Sequence, residues 1–196
     1  KSARQAQAAG DPVGCVVGSV GRLAHPPTDK VPGSVSLRIL RTGLAPKASN
    51  YSTVRYSLRR PGKKGNDFSD AHSFGSVFVL CLEPGDYSIP TIEILDGVTF
   101  FNDEPFDIPF TVVAGQTRYI GAFLLHRSTE PSTCLTDDRR IFADRDYQPR
   151  QPFTAIVDMS ERDLPLILAK GPPFRPISVD VVAPRALYSL VARCPP

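Results

Sequence analysis

A two-residue alternation of apolar and polar side chains constrains this chain more than any other feature. Val35, Leu37 and Ile39 alternate with Ser34, Ser36 and Arg38. Val54, Tyr56 and Leu58 alternate with Thr53, Arg55, Ser57 and Arg59, and Phe106, Ile108, Phe110 and Val112 form a third set. Successive side chains of an extended backbone point to opposite faces, so each of these segments carries one apolar face that must be covered. Packing two sheets face to face covers them, which predicts an all-β fold, an antiparallel β-sandwich; closure into a barrel is the alternative.

The punctuation agrees. Twenty prolines and fourteen glycines favour short extended segments joined by turns. Cys15 to Leu23 reads as the first strand, with Gly14, Gly18 and Gly21 permitting a bulge or close backbone approach. Val77 to Leu82 is apolar on both parities, as a strand covered on two faces should be. Pro84-Gly85 then suits the central positions of a type II turn, and a strand from Tyr87 to Leu95 should follow. Asp96-Gly97 marks another turn. Ala114-Gly115-Gln116 ends the strand over 106–112, and Arg118 to Leu125 is expected to return beside it as a hairpin.

Beyond His126 the pattern weakens, until Phe153 to Val157 reads as a further strand. Ser160 to Lys170 is the expected helix, with Ser160 as N-cap, Asp163 at the third helical position in a capping-box-like arrangement, and Leu164, Ile167 and Leu168 as its apolar stripe. Pro165 is compatible with that helix only near its first turn, and Gly171-Pro172-Pro173 stops it. A short strand is expected over 177–182, and the apolar stretch over 186–192 is of open type. The domain reading is a flexible N-terminal tether over 1–12 and a single β-sandwich domain over 13–196, of which 129–196 is a loop-rich C-terminal elaboration.

Hydrophobic residues at 41% and charged residues at 22% fit a packed globular chain and argue against general disorder. A formal charge of +3 is too small and dispersed to require nucleic acid or an anionic membrane surface. Arg59, Arg60, Lys63 and Lys64 read as a solvated turn. The four cysteines, Cys15, Cys81, Cys134 and Cys194, are far apart, form no CxxC pair and have no histidines nearby to complete a zinc site. They are expected to form disulfides, which points to an oxidising, extracytoplasmic compartment. Three connectivities are open. The preferred one joins Cys134 to Cys194, both in loop-like or terminal contexts, and leaves Cys15 with Cys81; two small buried free thiols are the alternative for the latter. Val13-Gly14-Cys15 has the outline of a lipoprotein cleavage site, but no apolar run precedes it, so Cys15 is not read as lipidated.

Catalytic motifs do not emerge. The glycines around Gly18 lack the Lys-Ser/Thr of a phosphate-binding loop, and Ser19 and Ser76 lack the Gly-x-Ser-x-Gly elbow. His25, His72 and His126 are scattered. Asp137, Asp138, Asp144 and Asp146 are the best calcium candidates, since carboxylates are hard ligands, but Arg139, Arg140 and Arg145 stand ready to neutralise them in a solvated loop. Phe100 and Phe101 flank the turn at Asn102-Asp103-Glu104 and are interaction candidates.

The run Phe78-Val79-Leu80-Cys81-Leu82-Glu83-Pro84-Gly85-Asp86-Tyr87 resembles the strand, Pro-Gly turn and Tyr unit of transthyretin-like and carboxypeptidase-regulatory-like β-sandwich modules. Phe106 to Leu125, with Pro109-Phe110, Ala114-Gly115 and Tyr119-Ile120-Gly121, is similar to a hairpin of poorly characterised bacterial envelope proteins that carry such modules, some of them lipoproteins. The resemblance covers 75–125 and transfers no catalytic residue. It implies a non-enzymatic structural or protein-interaction module, periplasmic or outer-membrane-associated, with an envelope protein as partner and no cofactor. A hydrolase with a site assembled by tertiary folding, or a carbohydrate- or calcium-dependent binding protein, is the alternative.

Overall fold

The computed structural model of the chain describes residues 12–23, 33–57, 65–70, 73–96, 98–102, 105–131, 150–172, 177–182, 187–189 and 191–192. Their strands are β1 (Gly14–Leu23), β2 (Ser34–Arg41), β3 (Tyr51–Ser57), β4 (Phe68–Ser69), β5 (Ser73–Leu82), β6 (Gly85–Asp96), β7 (Val98–Phe101), β8 (Pro109–Val112), β9 (Thr117–Pro131), β10 (Arg150–Val157), β11 (Ile177–Val179), β12 (Leu187–Ser189) and β13 (Val191–Ala192). One α-helix, α1 (Ser160–Ala169), lies among the described residues.

The strands form two sheets. One has the order β12-β10-β9-β1-β5-β4, with β11 also beside β9; the other has the order β13-β7-β6-β2-β3, with β8 also beside β6. Their inner faces meet in one core, where Val35, Leu37, Ile39, Ile92 and Ile94 from the second sheet face Val16, Val20, Phe78, Ile120, Phe123 and Ile156 from the first. Val35, Leu37 and Ile39 are the side chains that the alternation of β2 directs inward. The fold is therefore all-β with a short helix, in two layers. The helix adds a third: Ile167 of α1 packs with Val17, Val77 and Tyr119 on the outer face of the first sheet. That explains β1, which is buried at every position from Gly14 to Arg22 and so cannot alternate.

The pairing departs from an all-antiparallel sandwich. β9 runs parallel to β1 and to β11, while the other ladders are antiparallel. The expected hairpin of Phe106–Leu125 does not form, because β8 pairs with β6 in one sheet and β9 with β1 in the other. The Ala114-Gly115 turn, with Gly115 at φ +70°, thus crosses the sandwich instead of folding a strand back on itself. Its strand is also shorter than the alternation suggests. Phe106 and Ile108 bond to Pro90 and Ile89 through single backbone links outside β8 proper.

Pro84-Gly85 is likewise a crossing, from β5 in the first sheet to β6 in the second. Gly85 has φ +149°, well beyond the type II value of about +80°. A Cβ there would lie 3.1 Å from the Arg41 guanidinium, which hydrogen-bonds Glu83 Oε2 at 2.9 Å and the Pro84 carbonyl at 3.1 Å. Tyr87 Oη donates to the Glu83 carbonyl at 2.9 Å and closes the corner. Of the two roles expected for the β1 glycines, Gly18 takes the close approach; the bulge itself lies on β9, where Ile120 and Gly121, the latter at φ +120°, stand against Gly18 between the Val17–Tyr119 and Ser19–Ala122 pairs. A Cβ on Gly18 would stand 2.4 Å from the Gly121 carbonyl oxygen, so only glycine fits there.

Candidate functional site: a buried carboxylate beneath the helix

The helix begins one residue earlier than its sequence suggests. Met159, not Ser160, occupies the N-cap position and makes no side-chain cap; Ser160 N–H instead donates to Asp158 Oδ1 at 2.9 Å. Hydrogen bonding from the Ser160 side chain, then from its N–H, holds the Asp158 carboxyl below the usual carboxylate range. The one-residue shift places Asp163 at the fourth helical position, beyond reach of a capping box; four residues before Ile167, it lies on the same face. That face points into the sheet. Pro165 becomes the sixth helical residue, just past the first turn, where it withholds one N–H from the helix ladder.

Asp163 is fully buried. Its Oδ2 accepts from Ser19 Oγ on β1 at 2.6 Å and from Tyr119 Oη on β9 at 2.8 Å. Its Oδ1 accepts from Arg162 Nε at 2.7 Å. The same guanidinium donates to Ser73 Oγ on β5 at 2.8 Å and to Ser19 Oγ at 3.2 Å, and lies 3.7 Å from the centroid of the Phe68 ring. Ser19 and Tyr119 are themselves fully buried. One carboxylate and one guanidinium on α1 therefore grip three neighbouring strands.

This arrangement is a clamp. A buried charge is tolerated only when paired and hydrogen-bonded, and each carboxylate oxygen here has donors. Ser19 donates to Asp163 and accepts from Arg162, which holds its hydroxyl in place between the two charged groups. A second, more exposed cluster guards the helix end. Lys170 Nζ donates to Asp67 Oδ2 at 2.7 Å and to the Val77 carbonyl at 3.0 Å, while Asp67 Oδ2 accepts from Val77 N–H at 2.9 Å.

Tyr119 supplies a pH test. Burial first, then the charge and hydrogen bond of Asp163, push its phenol far above the ordinary tyrosine range. The folded state therefore binds that proton more tightly than the unfolded chain, and the stability it contributes is complete below pH about 10 and lost as pH rises further. Urea unfolding between pH 9 and 11 should show stability falling with a limiting slope of about 1.4 kcal/mol per pH unit from this residue. Tyr119→Phe should flatten that slope; an unaltered slope would assign it elsewhere.

The residues singled out in the sequence lie elsewhere. Asp137, Asp138, Asp144, Asp146, Cys134, Cys194, His25 and His72 are outside the described residues. His126 is on β9 opposite Phe153 of β10. Phe100 and Phe101 are on β7, whose backbone pairs with Ala192 and Val191 of β13, so that strand is covered on the side away from β6. Asn102 beside them is buried and bonds the backbone of Pro90 and Ile92. Cys15 and Cys81 form a disulfide across β1 and β5, with Cα atoms 4.0 Å apart. Among the described residues no group of three or more His, Cys, Asp or Glu side chains is placed to hold a metal ion, and no helix is long and apolar enough to cross a membrane.

No protein-family model matches the chain, and no curated protein does. Among solved structures, 57% of the chain is similar to a leucine-rich repeat protein from Bacteroides thetaiotaomicron, at 12% identity and a TM-score of 0.30. The chain spans 14% of that protein's length.

Proposed function

We propose that this chain is a non-enzymatic structural or protein-interaction module of the bacterial cell envelope, periplasmic or outer-membrane-associated. The observation that carries this reading is the Cys15–Cys81 disulfide, built into the centre of the first sheet and only slightly exposed at Cys15. Disulfides persist where thiols are kept oxidised and are rare where glutathione and thioredoxin reduce them. The clamp at Asp163 supports the same reading, because its charged groups are spent on fixing a helix to a sheet. The strand, Pro-Gly corner and Tyr87 unit adds the resemblance to transthyretin-like modules.

Cells lysed into an alkylating agent without reductant provide the test. Non-reducing peptide mapping should recover Cys15 and Cys81 in one linked pair; recovery of both as alkylated thiols would remove the compartment from the proposal. Crosslinking in native envelope material should then attach a specific protein to the chain, and the absence of any attached protein would leave a purely structural role.

A further inference from the structure

We infer that the chain self-associates through the open edge of β5, two copies pairing antiparallel about a two-fold axis at Leu80. The backbone parity of β5 makes that edge explicit. Cys15 N–H bonds the Gln116 carbonyl on the β9 side, so Cys15 and Cys81 face each other as a pair that exchanges no backbone hydrogen bonds. Cys81 therefore directs its own N–H and C=O away from β1, and Gly75, Val77 and Val79 share that direction.

Gly75 is covered, since the β4 ladder ends there and its carbonyl also accepts from Asp67 N–H at 2.8 Å. Val77 is covered by Asp67 and Lys170. Val79 and Cys81 follow with no partner on that side among the described residues. The run Val77-Phe78-Val79-Leu80-Cys81-Leu82 has neither charge nor proline, the devices by which free edges discourage pairing.

Charge and shape select a second copy as the occupant. Centring the axis on Leu80 sets Val79 of one copy against Cys81 of the other, so all four of their outward backbone groups are bonded in each copy. Val77 then stands opposite Glu83 of the second copy. Lys170, seated on the Val77 carbonyl, meets the Glu83 carboxylate, which is 70% exposed. Each end of the edge carries one acid and one base, Asp67 with Lys170 and Glu83 with Arg41, so the antiparallel arrangement brings opposite charges together at both ends. Further pairing stops where it must. The second copy's chain leaves for its other sheet at Pro84-Gly85 before it reaches β4. This association is a property beyond the envelope role and holds in whichever compartment the chain resides.

Sedimentation velocity of the full chain over a concentration series tests it. The wild-type chain should show a concentration-dependent monomer–dimer equilibrium. Glu83→Lys sets like charges opposite Lys170 at both ends and should weaken dimerisation about tenfold, and adding Lys170→Glu should restore it. Val79→Pro removes an N–H that has no partner among the described residues and trims a partly buried side chain at the edge of the helix-side cluster; it should abolish the dimer while the circular dichroism keeps the wild-type β signature. A wild-type chain that is monomeric throughout, leaving the edge to another occupant or none, overturns the inference. So does a dimer that both Glu83→Lys and Val79→Pro leave intact.

Discussion

Asp163→Ala should lower the unfolding free energy by about 3–5 kcal/mol, the cost of removing one partner from a buried ion pair. The substitution takes away the acceptor of Ser19, Tyr119 and Arg162 together. Two hydroxyls in fully buried positions then lack their acceptor, and a guanidinium whose side chain is 17% exposed lacks its counter-charge. Chemical denaturation in urea reads the loss, and hydrogen exchange should place it first in α1, the element the carboxylate secures. The asymmetry of buried polar networks gives a sharper form of the same result. Replacing Ser19 by Ala, Tyr119 by Phe and Asp163 by Leu at once should cost less than the sum of the single changes, because no orphaned donor on the strands remains. A change within about 0.5 kcal/mol for Asp163→Ala, the range of an ordinary surface substitution, would mean that the clamp does not secure the helix.

Why this node escaped the sequence reading is a matter of one residue. Ser160 and Asp163 stand three apart, the spacing of a capping box, and that spacing accounts for an acid at the start of a helix without further assumption. Met159 takes the N-cap position instead, so Asp163 is the fourth helical residue, and it lies buried on the Ile167 face. A signal was available. Asp163 and Ile167 are four apart, so the acid shares a face with the centre of the apolar stripe, and an acid on such a face needs partners across the interface. Those partners could not be named in advance. Ser19 and Tyr119 lie 144 and 44 residues from Asp163 along the chain, Ser73 lies 89 from Arg162, and only the tertiary arrangement of β1, β5 and β9 brings them under α1.

The strands were more legible than their partners. Side-chain alternation is a local property of the backbone, so β2 and β6 emerge close to their observed limits. Which strands pair is decided by what a turn connects, and a short Gly-containing turn looks the same whether it closes a hairpin or crosses to the facing sheet. Ala114-Gly115 therefore predicts a hairpin, whereas β9 crosses over to lie parallel to β1. The loss of alternation in β1 carried the missing information. A strand of small and β-branched residues on both parities is covered twice, once by the facing sheet and once by the helix. The cysteines show the same divide, since parity and burial place Cys15 and Cys81 in strands but only register places them opposite one another.

Removing that link should produce the second large effect. The bridge closes a loop with a sequence separation of 66 residues, for which the chain-entropy model gives about 4 kcal/mol of stabilisation through the unfolded state. The loop contains β2, β3, β4 and part of β5, so the restraint acts on strands of both sheets. A Cys15→Ala/Cys81→Ala variant, compared with the wild type by urea denaturation without reductant, should unfold at correspondingly lower denaturant; an unchanged midpoint would show that β1 and β5 hold their register without the bridge. Cys15 and Ser19 are four residues apart on one extended strand, about 13 Å, far enough for the disulfide and the Asp163 clamp to contribute nearly independently. Losing both should therefore cost about 7–9 kcal/mol, which is as large as the whole stability of many domains. The combined Cys15→Ala/Cys81→Ala/Asp163→Ala chain is accordingly expected to be unfolded in buffer at room temperature, although each parent variant folds. A cooperative urea transition in the combined variant would show that the two contributions overlap.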